Sequence, residues 1–132
     1  MFRNLLLLLL LSLPARALPA TDDTSWRGVS IASLVTAPHK YHGKKVVVRG
    51  FVRLEFEGSA IYLHEDDYTW GIPENGIWLN GASCKRADGT SFRTGYAIVT
   101  GIFSANDHGH MGMWEGELAV SKCTELFARK RG

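Results

Sequence analysis

Val46, Val48, Val52 and Leu54 alternate with Val47, Arg49, Phe51, Arg53 and Glu55, and one glycine, Gly50, interrupts the apolar side of the run. Period-two alternation with β-branched enrichment predicts a long half-buried strand over residues 44–56. A glycine inside such a strand marks a bulge or a tight bend, as at the corner of a barrel. The pattern returns 51 residues later. Ala97-Ile98-Val99-Thr100-Gly101-Ile102-Phe103 echoes Val46-Val47-Val48-Arg49-Gly50-Phe51-Val52, mid-strand glycine included. Two long strands, each bent at a glycine, restrict the chain to a strongly curved sheet.

The intervening segments complete that sheet. Glu57-Gly58-Ser59 reads as a turn, residues 60–64 as a second strand with Ile61 and Leu63 opposite Tyr62 and His64, and residues 76–80 as a third with Ile77 and Leu79 opposite Trp78. Residues 96–104 form the fourth strand and 117–124 the fifth. The connections 65–75, 81–94 and 106–116 read as loops: the first is acidic and aromatic, and the third is rich in glycine. Ahead of the sheet, Ser30 is a helix N-cap residue type before Ile31, Leu34 and Val35, and Pro38 ends that helix by pushing its predecessor out of the helical region. Five strands with a long bent first and fourth give a mainly β fold: a five-stranded OB-like barrel with a short N-terminal helix before the first strand.

The run Leu34-x3-Pro38-x2-Tyr41-x-Gly43-Lys44-x-Val46-x-Val48-x-Gly50 resembles the start of OB-like domains in exported bacterial proteins. Tyr41-His42-Gly43-Lys44-Lys45-Val46, Leu54-Glu55-Phe56-Glu57-Gly58, Tyr62-Leu63-His64 and Gly109-His110-Met111-Gly112 are similar to segments of a family of uncharacterised small exported bacterial proteins with an OB-like domain. The resemblance runs from Val29 to about Leu126. It implies the fold and the compartment, and no activity.

The N-terminus points to the same compartment. Arg3 precedes an apolar run over residues 5–11, Pro14 breaks it, and Ala15-Arg16-Ala17 supplies small residues at a cleavage site. The run is too short for a bilayer span, which predicts a cleaved signal over residues 1–17 and a protein free of a membrane anchor, soluble in the periplasm or outside the cell. The remainder divides into a flexible leader at 18–28 with Trp26 docking at its end, a domain at 29–126, and a basic tail at 127–132. The chain carries 15 basic and 13 acidic residues. Loss of Arg3 and Arg16 brings the two into balance, and outside Arg129, Lys130 and Arg131 the body is net acidic. A nucleic-acid ligand needs a basic surface to replace counterions, so that partner is disfavoured. Cys84 and Cys123 are the two cysteines. In an oxidising compartment they predict one disulfide, and parallel, adjacent third and fifth strands would bring their C-terminal ends within reach.

Three groups of residues are candidates for chemistry. Arg49, Phe51, Arg53, Tyr62, His64 and Trp78 fall on the outward face of the early strands, the usual ligand side of such barrels, where aromatic rings stack on sugars or protein side chains. A register slip of one residue, or burial under the loops, would remove that surface. His108, His110, Met111 and Met113 place two imidazoles and two thioethers within six residues, a soft ligand set suited to copper(I). Against it, methionine fills irregular gaps more often than it binds metal, here on the barrel end and Trp114. His64 with Glu65, Asp66 and Asp67 could bind a hard cation or act as acid and base in a small hydrolase, although such acidic runs are usually solvated loop. His39 and His42 flank Tyr41 and read as turn residues. No nucleophile motif, phosphate-cradling loop or zinc helix pattern accompanies them. The expectation is a non-enzymatic binding module for a protein or glycan, with copper handling second and hydrolysis third.

Overall fold

The computed structural model of this protein describes residues 15–18 and 24–127. The apolar core of the expected signal and the Arg129-Lys130-Arg131 tail lie outside the described residues. In chain order the elements are β1 (Arg27–Gly28), α1 (Ile31–Thr36), α2 (Pro38–Tyr41), β2 (Lys45–Arg53), β3 (Ala60–Tyr62), α3 (Glu65–Thr69), β4 (Gly76–Asn80), β5 (Cys84–Lys85), β6 (Ser91–Phe92), β7 (Thr94–Ser104) and β8 (Glu117–Glu125), with 3-10 turns at Pro73–Asn75 and His110–Gly112.

The five longer strands close a barrel. β2 runs antiparallel to β3 on one side and to β7 on the other, β3 pairs antiparallel with β4, β4 pairs in parallel with β8, and β8 returns antiparallel to β7. This is the OB arrangement expected from the strand pattern. The alternation sets the phase: Val46, Val48, Val52, Ile61, Ile77, Leu79, Val99, Phe103 and Leu118 all point into one buried core. Ser30 starts α1 by accepting the Ser33 N–H at 3.0 Å, and Ile31 and Leu34 from that helix enter the same core. α1 ends before Pro38, and Pro38 then opens the short α2. Proline is tolerated at a first helical position because that N–H has no partner to lose. Tyr41, partly buried, packs against the core.

The strand glycines stand where backbones and side chains crowd. A Cβ on Gly50 would meet the Tyr62 carbonyl and the Ile31 side chain, and one on Gly101 would meet the Ala119 carbonyl and the Leu118 side chain. The β7–β8 register shifts between Thr100 and Gly101. Cys84 and Cys123 form the disulfide, sitting opposite each other across the parallel β5–β8 pair with Cα atoms 4.5 Å apart. This bridge indicates an oxidising environment. Among the described residues no helix is long and apolar enough to cross a membrane.

Four segments differ from the sequence expectation. The first long strand stops at Arg53 rather than at 56: the Leu54 carbonyl is taken by the Arg93 side chain at 3.1 Å, and Glu55 is drawn into the following turn by Ser59. The 81–94 connection holds the β5–β6 hairpin, and the end of the leader adds β1 in parallel to β2. Trp26 itself is half-exposed, with the Lys45 ammonium 5.8 Å from its ring centroid. The 65–75 connection holds α3 and a 3-10 turn. α3 is too short to show an apolar period. It is held by Asp67, whose carboxylate accepts the His64 N–H at 2.9 Å and the Asn75 amide at 2.7 Å.

Candidate functional site

The turn after β2 is tied to itself. Ser59 donates its hydroxyl to the Glu55 carbonyl at 3.0 Å and accepts the Glu55 N–H at 3.2 Å, while Glu57 takes a left-handed φ of 56°. The side chain of Phe56 is thereby pushed into solvent, 88 % exposed. The loop between β7 and β8 is pinned in a similar way. Ser104 donates to Asp107 at 2.7 Å. His108 Nδ1 lies 2.8 Å from the Trp114 carbonyl, which only accepts, so His108 carries its proton on Nδ1 there. Gly109 lies directly against the Trp78 indole at a φ of 66°; a Cβ would sit 2.5 Å from the ring, so no side chain fits at this position.

These two loops form the walls of an open groove of about 700 Å³. Its floor is the outer side of β4 from Trp78 to Asn80, continued by Gly81 and Ala82. One wall is Glu55, Phe56, Glu57 and Ser59; the other is Asp107 to His110, with Glu117 at the start of β8 beside it. The volume is that of an ordinary ligand site. Four carboxylates line it. Glu117 accepts the Asn80 amide at 2.8 Å and Asp107 accepts the Ser104 hydroxyl, both neutral donors. Glu55 meets Arg53 at 3.3 Å, and Glu57 meets His110 Nε2 at 3.6 Å across the groove.

Of the six outward residues expected to form a ligand surface, Trp78 alone lines this groove, and its ring is engaged by Gly109 and by Trp114, 4.8 Å away between centroids. Phe51 and Tyr62 are a correction. Both lie on the outward face as the register requires, but they are buried in a second apolar cluster with Ala60 and Trp114. The cause is tertiary: Tyr68 of α3 folds over them, its ring 6.2 Å from Phe51 and 5.8 Å from Tyr62. Arg53 is fastened by Glu55, by Thr94 Oγ1 at 2.8 Å and by the Tyr68 ring at 5.2 Å. Arg49 lies beside a separate depression with Ser30 and Leu63, and His64 is exposed at the start of α3. The six are therefore not one surface.

The other candidates also have structural occupations. Asp67, the last of the acidic run, is buried, and its carboxylate is committed to holding α3. His42 Nδ1 accepts the Ala105 N–H at 3.1 Å, tying α2 to the end of β7. In the proposed copper loop, His108 and His110 each have a protein partner, and Met111 and Met113 are exposed rather than packed on the barrel end. Among the described residues no cluster of three or more His, Cys, Asp or Glu is arranged to hold a metal. Of the residues singled out from the sequence, Trp78, His108 and His110 line the groove, while Glu55, Glu57, Asn80, Asp107 and Glu117 were passed over. The signal available for them was position: each follows or precedes a strand end on the same side of the barrel.

Burial raises the Tyr62 phenol above its ordinary value of 10.0, with the Trp114 side chain pulling the other way and Glu55 and Tyr68 adding to the rise. A raised value means the folded state keeps a proton that the unfolded chain gives up. The stability this represents is complete below pH 10 and is lost as pH climbs through the folded-state value. Tyr62→Phe should therefore flatten the fall of melting temperature above pH 10, and an unchanged alkaline slope would show that Tyr62 is not its source. Comparison with protein-family models, curated proteins and solved structures finds no match to this chain, so its functional reading rests on the groove.

Proposed function

We propose that this protein is an exported, non-enzymatic OB-like binding module that takes a protein or glycan ligand in the groove between the 55–59 turn and the 106–116 loop. The position of the groove carries the reading. In OB barrels the outer side of the second and third strands, flanked by the loops joining strands one to two and four to five, is the ligand surface. Here β4 and those same two loops bound the groove. Fold analogy alone does not assign a function. Independent support comes from Phe56, a large apolar side chain of one wall held out in solvent, and from Met111, likewise exposed and next in sequence to His110 of the other wall; exposed apolar side chains beside a cleft mark interaction surfaces. The carboxylates along the groove repel phosphate backbones, which argues against nucleic acid. Export is supported by the N-terminal signal pattern together with the disulfide.

Asn80→Trp tests the site. Asn80 is exposed on the groove floor, and a tryptophan there fills the groove while keeping a residue type that suits a strand. Panning the wild type against displayed peptides and an oligosaccharide panel should yield binders that the variant fails to hold. Its stability should stay within about 0.5 kcal/mol of the wild type, as for surface substitutions generally. Binders retained by Asn80→Trp, or a panel that yields none, would count against the groove.

A further inference from the structure

We infer that the ligand is an extended protein segment that lays a lysine or arginine along the groove and an apolar side chain against its rim; this rests on the binding-module reading above. The charge of the groove is the first argument. Its carboxylates come from separate parts of the chain: Glu55 and Glu57 after β2, Asp107 after β7 and Glu117 at the start of β8. Asn80 and Ser104 satisfy the lone pairs of Glu117 and Asp107 without removing their charge. No lysine or arginine is among the lining residues; Arg53 lies on Glu55, and His110, when protonated, on Glu57. The groove therefore keeps an excess of negative charge, which a cationic side chain complements.

The rim is the second argument. Phe56 on one wall is 88 % exposed, and Met111, next to His110 of the other wall, is 82 % exposed. An aromatic ring and a flexible thioether provide adaptable apolar anchors for a partner side chain. A sugar ligand would call for an open aromatic platform on the floor, and the Trp78 ring is instead engaged by Gly109 and Trp114. An open groove of about 700 Å³ has room for a single extended segment.

The test uses fluorescence anisotropy with two labelled peptides of equal length, one alternating lysine and leucine and the other alternating glutamate and leucine, beside a neutral N-acetylglucosamine oligomer. The lysine peptide should bind and the glutamate peptide should not. Binding should weaken at about 1 M NaCl, where the screening length is only about 3 Å. Glu57→Gln with Asp107→Asn preserves oxygen acceptors at both positions and should weaken the lysine peptide about tenfold, the sum of two partly exposed charge pairs. Phe56→Ser should weaken it as well, and Asn80→Trp should abolish it. Equal binding of both peptides, or no loss in the Glu57/Asp107 variant, overturns the inference. An oligosaccharide that binds, is blocked by Asn80→Trp, and has no peptide counterpart overturns the peptide ligand but keeps the binding module. Lysine-peptide binding that survives Asn80→Trp overturns the groove, and both readings with it.

Discussion

Replacing Cys84 and Cys123 together by alanine should destabilise the protein by about 4 kcal/mol, the chain-entropy value for a bridge whose ends are 39 residues apart. For a domain of this size that is a fall in melting temperature of roughly 15 °C. The two half-cystines are buried, so the variant also loses packing in the core. The bridge ties the short β5 to β8, and through it the β5–β6 hairpin, to the barrel. The reduced wild type, which keeps both buried sulfurs, should lose the chain-entropy part alone and melt slightly above the double variant. A drop of only a few degrees in both would mean that the unfolded chain is already compact enough to gain little from the constraint.

The second large effect concerns the strand glycines. Gly101→Val places a branched side chain against the Ala119 carbonyl and the Leu118 side chain, where a bare Cβ already comes within 2.9 Å of Leu118 Cγ. Gly50→Val does the same against the Tyr62 carbonyl and, at 2.5 Å, Ile31 Cδ1. Backbone carbonyls cannot swing aside as a flexible side chain can, so each substitution should cost about 3 kcal/mol as the neighbouring strand is displaced. Gly28→Ala is the internal control, since nothing lies within 4 Å of a Cβ there, and it should change stability by less than about 0.5 kcal/mol. Denaturant titration measures all three. A mild Gly101→Val, equal to the control, would show that the β7–β8 bulge absorbs the side chain.

Those glycines were legible because a strand advertises its faces two residues at a time. Val46, Val48, Gly50 and Val52 share one side, and the same phase in Ala97, Val99, Gly101 and Phe103 identifies the partner strand. The cysteine pair was legible for a related reason: Cys84 follows the end of the expected third strand and Cys123 lies at the end of the expected fifth, and parallel neighbours bring those ends together; in the structure Cys84 meets Cys123 from the short β5. The hairpin at β5–β6, the single turn of α3 and the two-residue β1 were not legible. Elements that short show no period, and they exist because partners outside the element hold them: Cys123 for β5, Asn75 for Asp67 of α3, Val46 and Val47 for β1.

The ligand surface divides along the same line. Alternation correctly put Phe51, Tyr62 and Trp78 outside the barrel, since one strand position determines the next. It could not say that α3 would fold over Phe51 and Tyr62 while the 55–59 turn and the 106–116 loop would stand apart and leave a groove over β4. Barrel, register and disulfide are thus written in local pattern, because side-chain direction in a strand is set by the backbone itself. Which outward residues meet solvent depends on where distant connections come to rest, through contacts such as Tyr68 with Tyr62 and Gly109 with Trp78 that no periodicity encodes.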